Sequence, residues 1–196
     1  TAAQATRWAI SSRRSSLAYC FQALLNASRY MVCAVAGRAL VSAGGALYAS
    51  GASGRTTAEK AVTWSIVARD ARTGAFGVAV STKFFAVGAL CPHAKSGVGA
   101  LSTQALINPM YGTNGLALLE QGVSAADAVK RLTQEDPGSI IRQLHMIDAK
   151  GRVAAHTGTG CIDWCGHKLG EGFSVAGNML AGPQVVEKTA EIYVAR

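Results

Sequence analysis

The residues with the plainest chemistry sit late in the chain: His156, Cys161, Cys165 and His167. All four are side chains of types that ligate zinc. Their Cys-x3-Cys-x-His spacing is not that of a finger or ribbon, and two cysteines so close are more often buried thiols or a local bridge. No metal is expected, and a zinc-binding module is the last of three readings. The glycine motifs are no stronger. Gly97-Val98-Gly99 lacks the third glycine of a dinucleotide fingerprint, no Walker-type lysine follows a glycine loop, and Gly-x-Ser-x-Gly is absent. No cofactor is expected.

The elements that would position such groups are legible from residue 62 onward. Thr63-Trp64-Ser65-Ile66-Val67-Ala68-Arg69 alternates as a strand, placing Thr63, Ser65 and Val67 on one face and Trp64, Ile66 and Ala68 on the other. Asp70 to Gly74 reads as a turn, and Phe76 to Ser81 as the returning strand of a hairpin. Gly97 to Thr103 is a third strand candidate. Helices are predicted from Gly115 to Gln121 and from Ala125 to Glu135, the latter capped by Ser124 with Asp127 three residues on and stopped by Pro137. Ile140 to Ile147 and Arg152 to His156 predict a second hairpin around Asp148 to Gly151. Phe173 to Ala176 predicts a short strand, and Pro183 opens a last helix. This order does not alternate as βαβ and predicts an α+β fold of layered antiparallel sheets.

The first 61 residues read differently. The whole chain carries a net charge of +8 over 196 residues. Seven of its basic residues and a single acid lie in 1–61, whereas 62–196 hold twelve basic and ten acidic residues. The later part therefore lacks the basic, aromatic-interleaved face that nucleic acid requires, and none is expected as a partner. Ser12-Arg13-Arg14-Ser15-Ser16-Leu17 resembles a twin-arginine export signal, although Arg29 and Arg38 interrupt the apolar run that should follow. Residues 1–61 are expected to be a disordered or targeting-like extension, with location left open between cytoplasm and export. No apolar run is long enough for a membrane span. Five cysteines at irregular spacing are no disulfide framework.

Several runs occur together and in order: Thr63 to Asp70, Thr73-Gly74, Gly77 to Ser81, Ala86-Val87-Gly88, Gly97 to Ala100, Thr103-Gln104-Ala105 and Asn108-Pro109. Tyr111-Gly112, Gly115-Leu116, Gly151 to Gly158, Gly177-Asn178-Met179 and Gly182-Pro183 follow. The ordered set resembles the domain-of-unknown-function 1028 family over residues 62–196. That family resembles N-terminal-nucleophile (Ntn) hydrolases, which implies a four-layer αββα sandwich of antiparallel sheets. Relatives usually continue past the point where this chain stops, so the domain is expected to be truncated at its C-terminus.

In that superfamily the first strand begins with a Thr, Ser or Cys whose α-amine has been freed. The resemblance places Thr63 there. A free α-amine titrates near about 8 and can take the hydroxyl proton, but only once the Val62–Thr63 bond is cut. The alternative is that Thr63 is an ordinary β-branched strand residue. Ser65 is a candidate proton relay and Ser81 a candidate for orienting the amine. Gln104 and Asn108 are candidate oxyanion donors, and His156 and Asn178 candidate substrate contacts. The implied activity is hydrolysis of a small amide or peptide-like substrate, with homo-oligomerisation left open. The competing reading is a non-catalytic binding or assembly protein that keeps the fold.

Overall fold

The computed structural model describes residues 31–36 (backbone only), 62–84, 87 and 90–195. Its elements are β1 (Met31–Ala36), β2 (Thr63–Arg69), β3 (Phe76–Thr82), β4 (Pro92–Lys95), β5 (Gly99–Ala105), α1 (Met110–Glu120), α2 (Ala125–Gln134), β6 (Arg142–Asp148), β7 (Val153–Thr157), β8 (Trp164–Gly170), β9 (Phe173–Leu180) and α3 (Gln184–Val194). They form two antiparallel sheets, ordered β1-β3-β2-β9-β8 and β4-β5-β6-β7. The described part is a mixed α/β fold, as the order of predicted elements implied.

Period-two alternation explains the layering. On β2, Ile66 and Ala68 join Ala79, Val175 and Leu180 against Val186 and Ala190 of α3. Val67 points the other way and meets Val78, Val80, Ala100 and Ile147 between the sheets. The outer face of the second sheet presents Leu101, Leu144, Met146 and Ala154 to α1 and α2. Helix α2 is held there by its stripe of Ala125, Ala128, Val129 and Leu132. Ser124 Oγ caps it by accepting the Asp127 N–H at 3.1 Å. Helix α1 lies close to the sheet because Gly115 has no side chain; a β-carbon there would stand 2.7 Å from Leu101.

Several boundaries differ from the sequence reading. Strand β6 begins at Arg142, because Ser139–Ile141 forms a single 3-10 turn. Helix α1 begins at Met110 instead of Gly115, with Asn108 Oδ1 accepting the Met110 N–H. Strand β5 begins at Gly99; Gly97, at φ +74°, belongs to the turn before it. Strand β9 runs on to Leu180, past Met179 at φ +55°. Strands β4 and β8 were not anticipated. One opens on a proline and the other is a partly exposed edge strand, so neither carries an apolar alternation to read. Within the N-terminal segment, the apolar run Met31–Ala36 pairs along β3 as an edge strand. The remainder of 1–61, including the twin-arginine-like stretch, lies outside the described residues.

Candidate functional site

The space between the sheets changes character along its length. At the Arg69 end it is filled by Val67, Val78, Ala100 and Ile147. Towards Thr63 it becomes polar. Directly paired residues on antiparallel strands share a face, so the register Thr82–Thr63–Asn178 across β3, β2 and β9 makes one polar row. The register Gln104–Gln143–Thr157 across β5, β6 and β7 makes another on the opposing sheet. Thr63, Ser65, Thr82, Gln104, Gln143, His145, Ser174 and Asn178 are all buried.

Burying so many polar groups is tolerable only if they pair, and here the pairing has a direction. The Gln143 side-chain amide nitrogen donates towards Gly177 O at 2.8 Å, Thr157 Oγ1 at 3.0 Å and Gly166 O at 3.2 Å. Two of these acceptors are backbone carbonyls, which cannot donate, so the orientation of Gln143 is fixed. Its Oε1 must then accept, from Gln104 Nε2 at 2.9 Å and from Asn178 Nδ2 at 2.9 Å. Gln104 in turn presents Oε1 to Ser65, which donates its hydroxyl proton at 2.6 Å. Ser65 has no second proton, so His145 Nε2 donates to Ser65 Oγ at 2.8 Å. His145 Nδ1 is left as an acceptor for the Ser174 hydroxyl at 2.9 Å. Two backbone carbonyls thus set the tautomer of a histidine three side chains away.

This polarity decides what the Ser65–His145 pair can do. Its spacing is that of a nucleophile and its base, but the proton lies on His145 and the Ser65 proton is committed to Gln104. His145 therefore cannot accept from Ser65 as the network stands. Burial, reinforced by His167, pushes the His145 pKa down from 6.5 to about 3, so the ring is neutral near pH 7. Between these values the unfolded chain binds a proton that the folded chain does not. Stability is therefore expected to fall on acidification from pH 6.5 towards 3, by about 1.4 kcal/mol per pH unit for this one group. Denaturant unfolding of wild type and His145→Gln at several pH values checks this. The variant should flatten that segment of the profile.

Thr63 lies beside this network. Its Oγ1 shares a 2.9 Å hydrogen bond with Thr82 Oγ1, which also accepts the Phe84 N–H at 3.1 Å. Ser65, two residues along the strand, is about 6.6 Å away. Asn178 gives one N–H to Gln143 and, as Thr63's neighbour on β9, carries a second. Two residues with positive φ immediately follow the network amides: Ala105 (φ +68°) after Gln104 and Met179 (φ +55°) after Asn178. A left-handed conformation costs a non-glycine residue about 1–2 kcal/mol. It here turns the chain directly behind each amide.

The other sequence candidates lie elsewhere. Ser81 pairs with Trp64 and so shares its outward face, whereas Thr82 is the β3 residue beside Thr63. His156 is paired with Leu144, whose side chain packs on the helix layer, and its Nε2 lies 2.9 Å from Ser139 O. Cys161 and Cys165 are half-buried, with Cys161 Sγ donating to Arg142 O at 3.6 Å. His167 Nδ1 bonds Thr157 Oγ1 at 2.9 Å, at the edge of the inter-sheet network.

Asn108 belongs to a second cluster on the helix side. Its Nδ2 donates to Asp136 Oδ2 at 3.0 Å, which also accepts Tyr111 OH at 2.8 Å and Arg142 Nε at 2.6 Å. The Gly138 N–H donates to Oδ1 at 2.8 Å. Burial pushes the Asp136 carboxyl upward, but these four donors outweigh it and hold the pKa at about 2, below the ordinary 3.8. Burial and the neighbouring carboxylate push the Tyr111 hydroxyl upward. Asp136 therefore supports the fold above pH 3.8, and that support is lost as pH falls towards 2. Asp136→Ala is expected to cost about 3 kcal/mol, because it strands Arg142 and the Tyr111 hydroxyl. Thermal melts at pH 7 and pH 3 check both statements.

His145, Gln143, Ser174 and Thr82 were not singled out from sequence. The one usable signal was strand alternation. Gln143 and His145 alternate with Leu144 and Met146, a pattern that reads as a solvent-facing polar side. In the structure that side faces a second sheet.

The fold and site together define a two-sheet α/β domain with a directional polar layer between its sheets. The chain belongs to DUF1028, a family of unknown function, whose model matches residues 63–196. It is similar to the crystal structure of a DUF1028 protein from Silicibacter pomeroyi, with a TM-score of 0.67 and 33% identity. The likeness covers 69% of this chain and 63% of that one, so this chain spans under two thirds of that protein's length. No curated protein matches.

Proposed function

We propose that this domain is an amide-bond hydrolase of the N-terminal-nucleophile type, with Thr63 as nucleophile after scission of the Val62–Thr63 bond. The observation that carries the reading is the position of Thr63. It heads the middle strand of its sheet, with its hydroxyl in the polar end of the inter-sheet layer, bonded to Thr82. The family match opens on the same residue. Two facing antiparallel sheets between helical layers agree with the αββα arrangement of that superfamily.

In this scheme scission exposes the α-amine of Thr63. The neutral amine takes the hydroxyl proton while Oγ1 bonds to the substrate carbonyl carbon. The second N–H of Asn178 is the donor for the oxygen that gains negative charge. The proton passes to the leaving amine as the C–N bond breaks, and water then hydrolyses the ester on Thr63. Gln104, Gln143, Ser65 and His145 act by holding Asn178 and the two sheets in place. The substrate class is a small amide or peptide-like molecule.

A binding or assembly role without chemistry is the second reading. It is favoured by the exposure of Thr63, only 4%, in the chain that still carries the residues before it. Treatment with a β-lactone electrophile, followed by peptide mass spectrometry, separates the two. Adduct on the Thr63 hydroxyl of a chain that begins at Thr63 is the expected result. A chain that begins at Thr63 and is not acylated there would exclude the hydrolase.

A further inference from the structure

The other end of β2 carries a feature that the hydrolase reading does not use. Arg69 and Thr63 are six residues apart on one strand, about 20 Å. At the Arg69 end the β2–β3, β4–β5 and β6–β7 turns surround a cavity of about 530 Å3, lined among others by Arg69, Gly74, Phe76, Ser96, Gly97 and Ala149. That volume falls within the range of small-molecule sites.

The chemistry of the lining points one way. The Arg69 side chain makes no hydrogen bond or ion pair among the described residues, although Asp70 and Asp148 stand at the turns around the cavity. Each of these is already engaged. Asp70 Oδ1 accepts the Arg72 and Thr73 N–H groups at 2.9 and 3.0 Å. Asp148 is bound by Arg152 Nε at 2.7 Å and by the Lys150 and Arg152 N–H groups. Glycines leave the guanidinium uncovered. A β-carbon at Gly74 would stand 3.7 Å from Arg69 Nη2, and one at Gly151 4.0 Å from Nη1. Both glycines have positive φ, +72° and +80°, so side chains are disfavoured there on backbone grounds too. On the facing turn Val98 N–H closes onto Lys95 O at 3.1 Å, and the Ser96 and Gly97 amides at its tip bond no carbonyl among the described residues. Ala75 and Ala149 supply apolar wall.

We infer that this cavity binds a small organic molecule through a carboxylate or phosphate group seated on the Arg69 guanidinium. A planar fork of N–H donors matches the two oxygens of such a group. The turn amides of Ser96 and Gly97 provide further donors, and the carbon body lies against Ala75 and Ala149. The site is separate from Thr63, and it stands whether or not Thr63 is a nucleophile.

The test is titration of the full-length protein with succinate and, in a second arm, with inorganic phosphate, followed by 15N NMR of the backbone amides and the Arg69 Nε. Saturable shifts confined to Gly74, Ser96, Gly97, Ala149 and Arg69 are expected with at least one anion, and the tighter arm identifies the headgroup. Arg69→Gln should weaken that binding at least tenfold, while Lys150→Gln, which removes the same charge from a neighbouring exposed position, should change it less than threefold. Thermal melts establish that both variants are folded. Linear, unsaturable shifts with both anions would overturn the proposal, as would equal weakening by the two variants, since a diffuse positive field would then account for the data.

Discussion

Thr63→Ala is expected to give a folded chain that keeps its Val62–Thr63 bond and loses hydrolytic activity by about a thousandfold or more. The truncation removes the γ-methyl and the hydroxyl, the latter with its one hydrogen bond, to Thr82. Together these cost about 2–3 kcal/mol, too little to unfold a domain whose net stability is 5–15 kcal/mol in general. The chemistry loses far more, because in this scheme the hydroxyl attacks twice: first the Val62 carbonyl, where the C–N bond breaks and water hydrolyses the resulting ester to free the α-amine, and then the substrate. Thr63→Ser keeps the hydroxyl and should retain scission and measurable activity. Thr82→Val keeps the shape of the neighbour, removes its hydrogen bond, and should reduce activity far less than Thr63→Ala. Equal losses in Thr63→Ala and Thr82→Val would mean that the threonine pair serves packing alone. Activity against a panel of small amides and intact mass report the two effects separately.

The largest effect on stability is expected at Gln143. Replacement by Leu preserves the volume and leaves four partners unpaired: the carbonyls of Gly166 and Gly177, and the amide nitrogens of Gln104 and Asn178. Each stranded buried group costs roughly 1–3 kcal/mol. The total is about 4 kcal/mol or more, a large share of the stability of an average domain. Ser65→Ala should be milder, because it interrupts the network at one point. Urea unfolding of both variants ranks them. If Gln143→Leu costs under about 1 kcal/mol, the network does not carry the stability that its hydrogen bonds imply.

The contrast between Gln143 and Ser65 also bears on how much was legible from sequence. The alternation of β2 put Thr63, Ser65 and Val67 on one face, and that face does look into the inter-sheet layer. The Ser124 cap, the Asp70 turn and the stop at Pro137 rest on local chemistry, and local chemistry is present in the sequence. The partners of Ser65 were not legible. They lie 39 and 80 residues away, at Gln104 and His145, and only the stacking of two sheets brings them together. From sequence, Gln104 and Asn108 are alike: two side-chain amides that follow the third predicted strand. In the structure β5 turns Gln104 inward, while Asn108 binds Asp136 on the helix side. Thr82 and Ser81 are one residue apart, which in a strand is the difference between two faces, and it is Thr82 that pairs with Thr63. The direction of the hydrogen bonds was the least accessible feature, since it originates in the carbonyls of Gly166 and Gly177.

The central claim rests on the bond before Thr63, and the most direct measurement is the intact mass and N-terminal sequence of the purified, folded protein produced from the full 196-residue chain. The account predicts an active species that begins Thr63-Trp64-Ser65-Ile66, absent when Thr63→Ala is produced in the same way. A homogeneous, active protein in which Val62 is still joined to Thr63 would contradict it.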